Sequence, residues 1–286
     1  MNNLQFKYFI ILMLLCTSPS LFAQAITESG TIIAVFYLED RILVAAESRQ
    51  VIDGTPIAAN SDNRACKIVR LGDHAFFAAS GLVSLHGEAQ IVKKAFRDVP
   101  SGDITKIAEQ WANLKIRLYK EIASHDPEKI KPSDQVITGV FGTNAHGRPE
   151  SYVVFISLTL KPDSENPGRP TFVFAQKPSG PFYFENKQYF LAYGSDDKEL
   201  LHEFSDHKIQ RAQEAFDETF KGTRRDISVD EQHVVAVEAT MKYAVRFGDP
   251  DRVGLPIDIL DLPKSGSSVW RRIKPECDAC NQHQTR

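Results

Sequence analysis

Between residues 31 and 79 the chain carries four short runs of β-favouring residues, each too uniformly apolar to leave one face in water. They are Thr31–Tyr37, Ile42–Ala46, Lys67–Leu71 and Ala75–Ala79. The first two flank Glu39-Asp40-Arg41 and the last two flank Gly72-Asp73-His74, so each pair predicts a hairpin. A strand without polar alternation is covered on both sides. The sheets formed here must therefore lie between other layers.

The rest of the chain supplies those layers. Helical spacing predicts helices over Leu82–Phe96 and Ile104–Ala123, the second with Ile107, Trp111, Leu114, Leu118 and Ile122 on one face and Ser101 or Asp103 as its N-cap. Strands follow over Gln135–Gly142, Tyr152–Thr159, Thr171–Gln176 and Tyr189–Tyr193. Helices over Asp197–Phe220 and Val229–Phe247 precede two last strands, Pro256–Leu260 and Ser268–Ile273. Strands, helices, strands, helices and strands in that order predict an α+β fold with two sheets and helices outside both. The Pro-rich stretch Lys161–Pro170 reads as a surface loop inside a single domain.

Ahead of this core, Lys7 precedes the apolar run Tyr8–Cys16, then Thr17-Ser18-Pro19-Ser20 and Ala23-Gln24-Ala25. A charged start, a short apolar stretch and a small-x-small site make an export signal over residues 1–25, with a mature chain from Ile26 in the periplasm or outside the cell. The apolar run is too short to span a bilayer, so no stable membrane insertion is expected after cleavage. Three cysteines remain after removal of the signal. Cys277 and Cys280 form one C-x-x-C in the polar tail 276–286, which predicts a local disulfide or no bond, and Cys66 reads as a packed strand residue. No second pair of ligands points to a metal, and no motif points to a cofactor. With 34 Lys+Arg against 37 Asp+Glu and no basic stripe, the chain offers nucleic acid no electrostatic footprint.

The P-loop, the dinucleotide glycine motif, H-E-x-x-H and G-x-S-x-G are all missing, which removes the enzyme classes they mark. The informative region is Gly30–Leu82. Thr31 opens the first strand behind a glycine, Ala45-Ala46-Glu47-Ser48-Arg49 ends the second, Lys67-Ile68 starts the third, and Gly81 closes the fourth. This arrangement resembles the N-terminal half of proteasome β-subunits and related bacterial proteases, the N-terminal-nucleophile hydrolases. The resemblance implies a four-layer αββα sandwich of two mainly antiparallel sheets over 31–275, after a short pro-segment at 26–30. It also implies a homo-oligomeric ring that acts on peptides or unfolded proteins.

The chemistry so implied is coherent. Once Thr31 is the first residue, its α-amine, with an ordinary pKa of about 7.7–8.0, can take the proton from its own hydroxyl. Lys67 would favour the neutral amine and the developing alkoxide by its charge, and Glu47 would orient Lys67. The N–H of Gly81 would serve the oxyanion. Tyr193-Gly194-Ser195-Asp196 resembles the step whose serine supports the amine, which assigns Ser195. Arg252–Asp258 resembles the segment after the last long helix, where the family has an aspartate and a serine before the glycine. This chain offers Asp249 or Asp251 and no serine, and Glu47 stands where the family has aspartate. Each residue also has an ordinary role open to it: Thr31 as a strand opener, Glu47 with Lys67 as a structural ion pair, Gly81 as a turn residue and Ser195 as an N-cap. The alternative function is a non-catalytic subunit or assembly module with Thr31 blocked; hydrolysis of a small amide by the same machinery is a third.

Overall fold

The computed structural model describes residues 28–29, 32–47, 51–52, 55–56, 66–82, 85–99, 103–125, 136–161, 171–182, 189–193, 228–247, 254–274 and 277. The predicted export signal, Thr31, the predicted helix 197–220 with Ser195 before it, Asp249, Asp251 and Cys280 lie outside them.

The strands in chain order are β1 (Glu28–Ser29), β2 (Ile33–Tyr37), β3 (Arg41–Glu47), β4 (Val51–Ile52), β5 (Thr55–Pro56), β6 (Ile68–Arg70) and β7 (Ala75–Leu82), followed by β8 (Val136–Thr143), β9 (Glu150–Lys161), β10 (Thr171–Phe182), β11 (Tyr189–Tyr193), β12 (Ile257–Pro263) and β13 (Val269–Arg272). The described helices are α1 (Leu85–Asp98), α2 (Ile104–His125) and α3 (Val229–Phe247). One sheet runs β1-β7-β8-β9-β10 with β6 also on β7; the other runs β11-β2-β3-β12-β13. Their pairings are antiparallel. The two predicted hairpins form, Val35 facing Val44 in one and Val69 facing Phe77 in the other.

Three apolar clusters fill the spaces between four layers. On β7, Ala75, Phe77 and Ala79 turn toward α1 and α2, where they join Val92, Ile107 and Trp111. The alternate residues Phe76 and Ala78 turn the other way and meet Val35, Val44 and Leu260 of the second sheet. That sheet's far side, with Ala34, Leu43, Ala45 and Ile259, is covered by Val234, Val237 and Met241 of α3. Both faces of each sheet are thus apolar, which is why the strand runs lack alternation. Close approach fixes two glycines on β8. A Cβ at Gly139 would stand 2.5 Å from Trp111 Cζ3, and one at Gly142 would overlap the Phe76 ring. Tyr37 and Ser151 join the two sheets by a buried hydroxyl–hydroxyl bond.

Helix starts are set by side-chain caps. Asp103 Oδ1 accepts from the N–H groups of Thr105 and Lys106 at 3.0 and 3.2 Å, which decides between the two candidate caps of α2. Ser228 Oγ accepts from Glu231 N–H at 3.2 Å ahead of α3. Among the described residues, no helix is long and apolar enough to cross a membrane.

The cysteine reading is corrected. Cys66 is bonded to Cys277, with Cα atoms 5.4 Å apart across a sequence separation of 211. Cys277 is fully buried, so this residue of the polar tail is stapled to the start of β6. The local Cys277–Cys280 bond is therefore not formed, and Cys66 is a cross-link and not a free packed thiol. Spacing alone favoured the neighbour three residues away; the fold brings the distant one into range.

Lys115 on α2 is the other unexpected burial. It is 1% exposed, and its Nζ sits 5.1 Å from the centroid of the Tyr119 ring. Burial pulls its pKa from 10.5 down to about 7.

Two outcomes follow. Replacing both Cys66 and Cys277 by alanine should lower stability by about 4–5 kcal/mol, because a very long loop is opened; urea unfolding of the oxidised chain against the variant measures it. Between pH 7 and 10.5 the unfolded chain holds more of the Lys115 proton than the folded one, so stability should rise with pH there. The slope for that group is up to about 1.4 kcal/mol per pH unit, and Lys115→Met should flatten it in melts run across that range.

Candidate active site

Glu47 is the last residue of β3 and is fully buried. Its neighbour across the ladder is Ile257 on β12. Oε1 meets Lys67 Nζ in a direct ion pair, and Oε2 accepts the N–H of Gly254 at 2.9 Å. Lys67 comes one residue before β6, in the opposite sheet, and is 4% exposed. The pair therefore bridges the two sheets at one end of the sandwich. Burial pushes the Lys67 pKa below that of an ordinary lysine, and the Glu47 carboxylate restores part of the loss.

Gly81 lies near the end of β7, and β1 runs alongside with Ser29 opposite Gly81 and Glu28 opposite Leu82. β6 uses the same edge of β7 further back, where its first residue Ile68 faces Ala78. Ala78 and Gly81 are three residues apart, roughly 10 Å at strand rise, so Lys67 and Ser29 approach β7 within one short stretch. On the other side of the Gly30-Thr31 junction, the carbonyl of Ile32 accepts from Glu47 N–H at 3.4 Å. The junction is thus bracketed by sequence between Ser29, paired with Gly81, and Ile32, bonded to Glu47. Of the five residues singled out in the sequence, Glu47 and Lys67 are in contact and Gly81 pairs with Ser29; Thr31 and Ser195 lie outside the described residues.

A second buried pair stands beside the first and carried no role in the sequence reading. Asp258, next after Ile257 on β12, accepts from Lys274 Nζ at 2.8 Å and from Lys274 N–H at 3.0 Å. Both side chains are almost wholly buried. Burial raises the Asp258 pKa, and Lys274 opposes that rise. The signal for it was a lone carboxylate in the otherwise apolar start Ile257-Asp258-Ile259-Leu260. Among the described residues, no cluster of three His, Cys, Asp or Glu side chains is placed to hold a metal ion.

No protein-family model and no curated protein matches the chain. Among solved structures it is similar to the one titled "Thiobacillus denitrificans BPH in complex with Epoxomicin", at TM-score 0.38 and 15% identity, over 82% of this chain and 99% of that one. A likeness this slight carries no argument.

The geometry makes the Glu47–Lys67 pair testable on its own. Glu47→Gln or Lys67→Met alone should cost about 3–5 kcal/mol, since either removes the opposite charge from a buried one. The double variant should cost less than the sum of the two. Strict additivity in chemical unfolding would contradict the contact.

Proposed function

We propose that this chain is an exported threonine-type amidohydrolase, an endopeptidase with the N-terminal-nucleophile fold, in which Thr31 becomes the nucleophile after cleavage at Gly30-Thr31. One observation carries the reading: the two flanks of the Gly30-Thr31 bond are tied to Gly81, through Ser29, and to the backbone of Glu47, through Ile32, next to the buried Glu47–Lys67 pair.

Maturation needs only groups of this chain and one water. Thr31 Oγ attacks the Gly30 carbonyl carbon, the C–N bond breaks, and the proton lost by the hydroxyl ends on the new amine. Water then hydrolyses the Gly30 ester and frees the pro-segment. On a substrate, the neutral Thr31 amine accepts the hydroxyl proton while Oγ adds to the scissile carbonyl. The Lys67 ammonium lowers the amine's affinity for a proton and stabilises negative charge on Oγ. The Gly81 N–H donates to the oxyanion, the amine returns its proton to the leaving nitrogen, and water resolves the acyl ester. Glu47 holds Lys67 in place; Ser195 supports the amine.

The same reading assigns peptides or unfolded chains as substrates, a homo-oligomeric ring as the working form, and the periplasm or the outside of the cell as the compartment. The Cys66–Cys277 disulfide supports the last, since such bonds persist in oxidising surroundings.

The deciding experiment is the intact mass and N-terminal sequence of protein exported by its own signal, together with hydrolysis of a fluorogenic peptide panel. The chain should begin at Thr31, and Thr31→Ala should retain the pro-segment and lose roughly 10³-fold or more in kcat/KM. A chain that begins stably at Ile26 in the assembled particle would overturn this in favour of a non-catalytic subunit.

A further inference from the structure

We propose that Asp258 and Lys274 are positioning residues for Lys67, forming a second ion pair that fixes where the Lys67 ammonium sits and whether it carries its proton. This inference rests on the hydrolase reading above for its catalytic consequence, and on geometry alone for the coupling.

Three links place the second pair against the first. Asp258 follows Ile257, the ladder partner of Glu47, and itself faces Ala46, so the backbones of Glu47 and Asp258 occupy adjoining positions of the β3–β12 ladder. Lys274 is locked to Asp258 through both its side chain and its backbone N–H. Cys277 donates its N–H to Lys274 O at 3.0 Å and is bonded to Cys66, the residue before Lys67. Cys277 Sγ also rests 3.8 Å from Asp258 Oδ2, a contact only, because a disulfide sulfur has no proton to donate. One covalent bridge therefore ties the segment that carries Lys67 to the segment that carries Lys274.

Both pairs are almost without water access, and each is near enough to bear electrostatically on the other. Among the described residues, the charged groups bearing on Lys67 are Glu47 at the end of β3, Asp258 on β12 and Lys274 after β13. Glu47 and Asp258 strengthen its hold on the proton, while Lys274 and burial weaken it. Lys67 works by charge, so a neutral Lys67 would neither lower the affinity of the Thr31 amine for a proton nor stabilise the alkoxide. Its proton must survive at the pH where that amine is neutral. Asp258 opposes loss of that proton, and Lys274 keeps Asp258 from being a second unpartnered buried charge.

The signs of the two single variants are opposite, which a merely structural role would not produce. Asp258→Asn removes a negative charge that favours the Lys67 ammonium while leaving the like charge of Lys274, so Lys67 should release its proton at lower pH. Lys274→Gln removes the like charge, so Lys67 should keep its proton to higher pH. Lys274→Arg keeps the charge and should restore wild-type behaviour. The test follows the Lys67 titration by NMR of lysines labelled at the ε-carbon, on the full folded chain, with the resonance assigned by its loss in Lys67→Met. The alkaline limb of kcat/KM is measured on the same proteins.

Midpoint and limb should move together by roughly 1 pH unit, down in Asp258→Asn and up in Lys274→Gln. Unmoved midpoints, or shifts in the same direction, would overturn the proposal. So would a limb that stays fixed while the midpoints move. Should Asp258→Asn fail to fold, Lys274→Gln against Lys274→Arg decides the same point. A wild-type chain with a free Thr31 that hydrolyses no amide would instead defeat the hydrolase reading, and the NMR midpoints would still judge the coupling.

Discussion

The contact on which this end of the molecule depends is the ion pair between Glu47 and Lys67. Two charges removed from water are tolerable only when each meets an opposite charge and its remaining hydrogen-bonding capacity is filled. Here the requirement is met from three directions: Lys67 from one sheet, Glu47 from the other, and the Gly254 N–H from the entry to β12. A displacement of either sheet would pull two buried opposite charges apart, so the pair fixes the sheets' alignment as well as holding an ammonium group in place. Apolar contact alone specifies that alignment less sharply, because valines and alanines tolerate a slide that an ion pair does not.

The rest of the sandwich can be apolar because polar demands are concentrated at its edges and ends. The middle layer is built from Val35, Val44, Phe76, Val140 and Leu260, with the Tyr37–Ser151 hydroxyl pair as an internal tie. The outer layers are covered by helices whose first turns are capped by Asp103 and Ser228. The two glycines of β8 leave room on opposite faces of the sheet: Gly139 for Trp111 of α2, and Gly142 for the ring of Phe76, its ladder partner on β7. Charge left inside such a body stands out, and Lys115, Lys67 and Lys274 are the described lysines that the fold buries.

Much of this was legible in the sequence, and the limits have physical causes. Apolar runs located β2, β3, β6 and β7 to within a few residues, and the helical stripe gave α3 its observed bounds, Val229–Phe247. Strand ends were less visible: β10 continues to Phe182 through Pro178 and Pro181, residues that local pattern takes as a stop, because pairing with β9 sustains it. Glu47 and Lys67 were legible as a pair only through the resemblance carried by Ala45–Arg49 and Lys67-Ile68, not from spacing or pattern. Asp258 and Lys274 were not, since a charged side chain near a turn ordinarily reads as solvated, and only the fold shows that this one is enclosed. The Cys66–Cys277 bond was hidden for a related reason: proximity along the chain says nothing about residues separated by 211 positions.

That separation has a consequence for the order in which the charged end can be completed. A chain made from its N-terminus presents Glu47 and Lys67 early, while Gly254, Asp258, Lys274 and Cys277 emerge about 10–40 s later at ordinary synthesis rates. During that interval the early pair lacks the amide that caps Glu47, the neighbouring pair and the covalent bridge. On the proposed function, the segment that opens with Thr31 is thus among the first to appear and the surroundings that would make it reactive are among the last, so the nascent chain would stay inert by the arithmetic of its own growth.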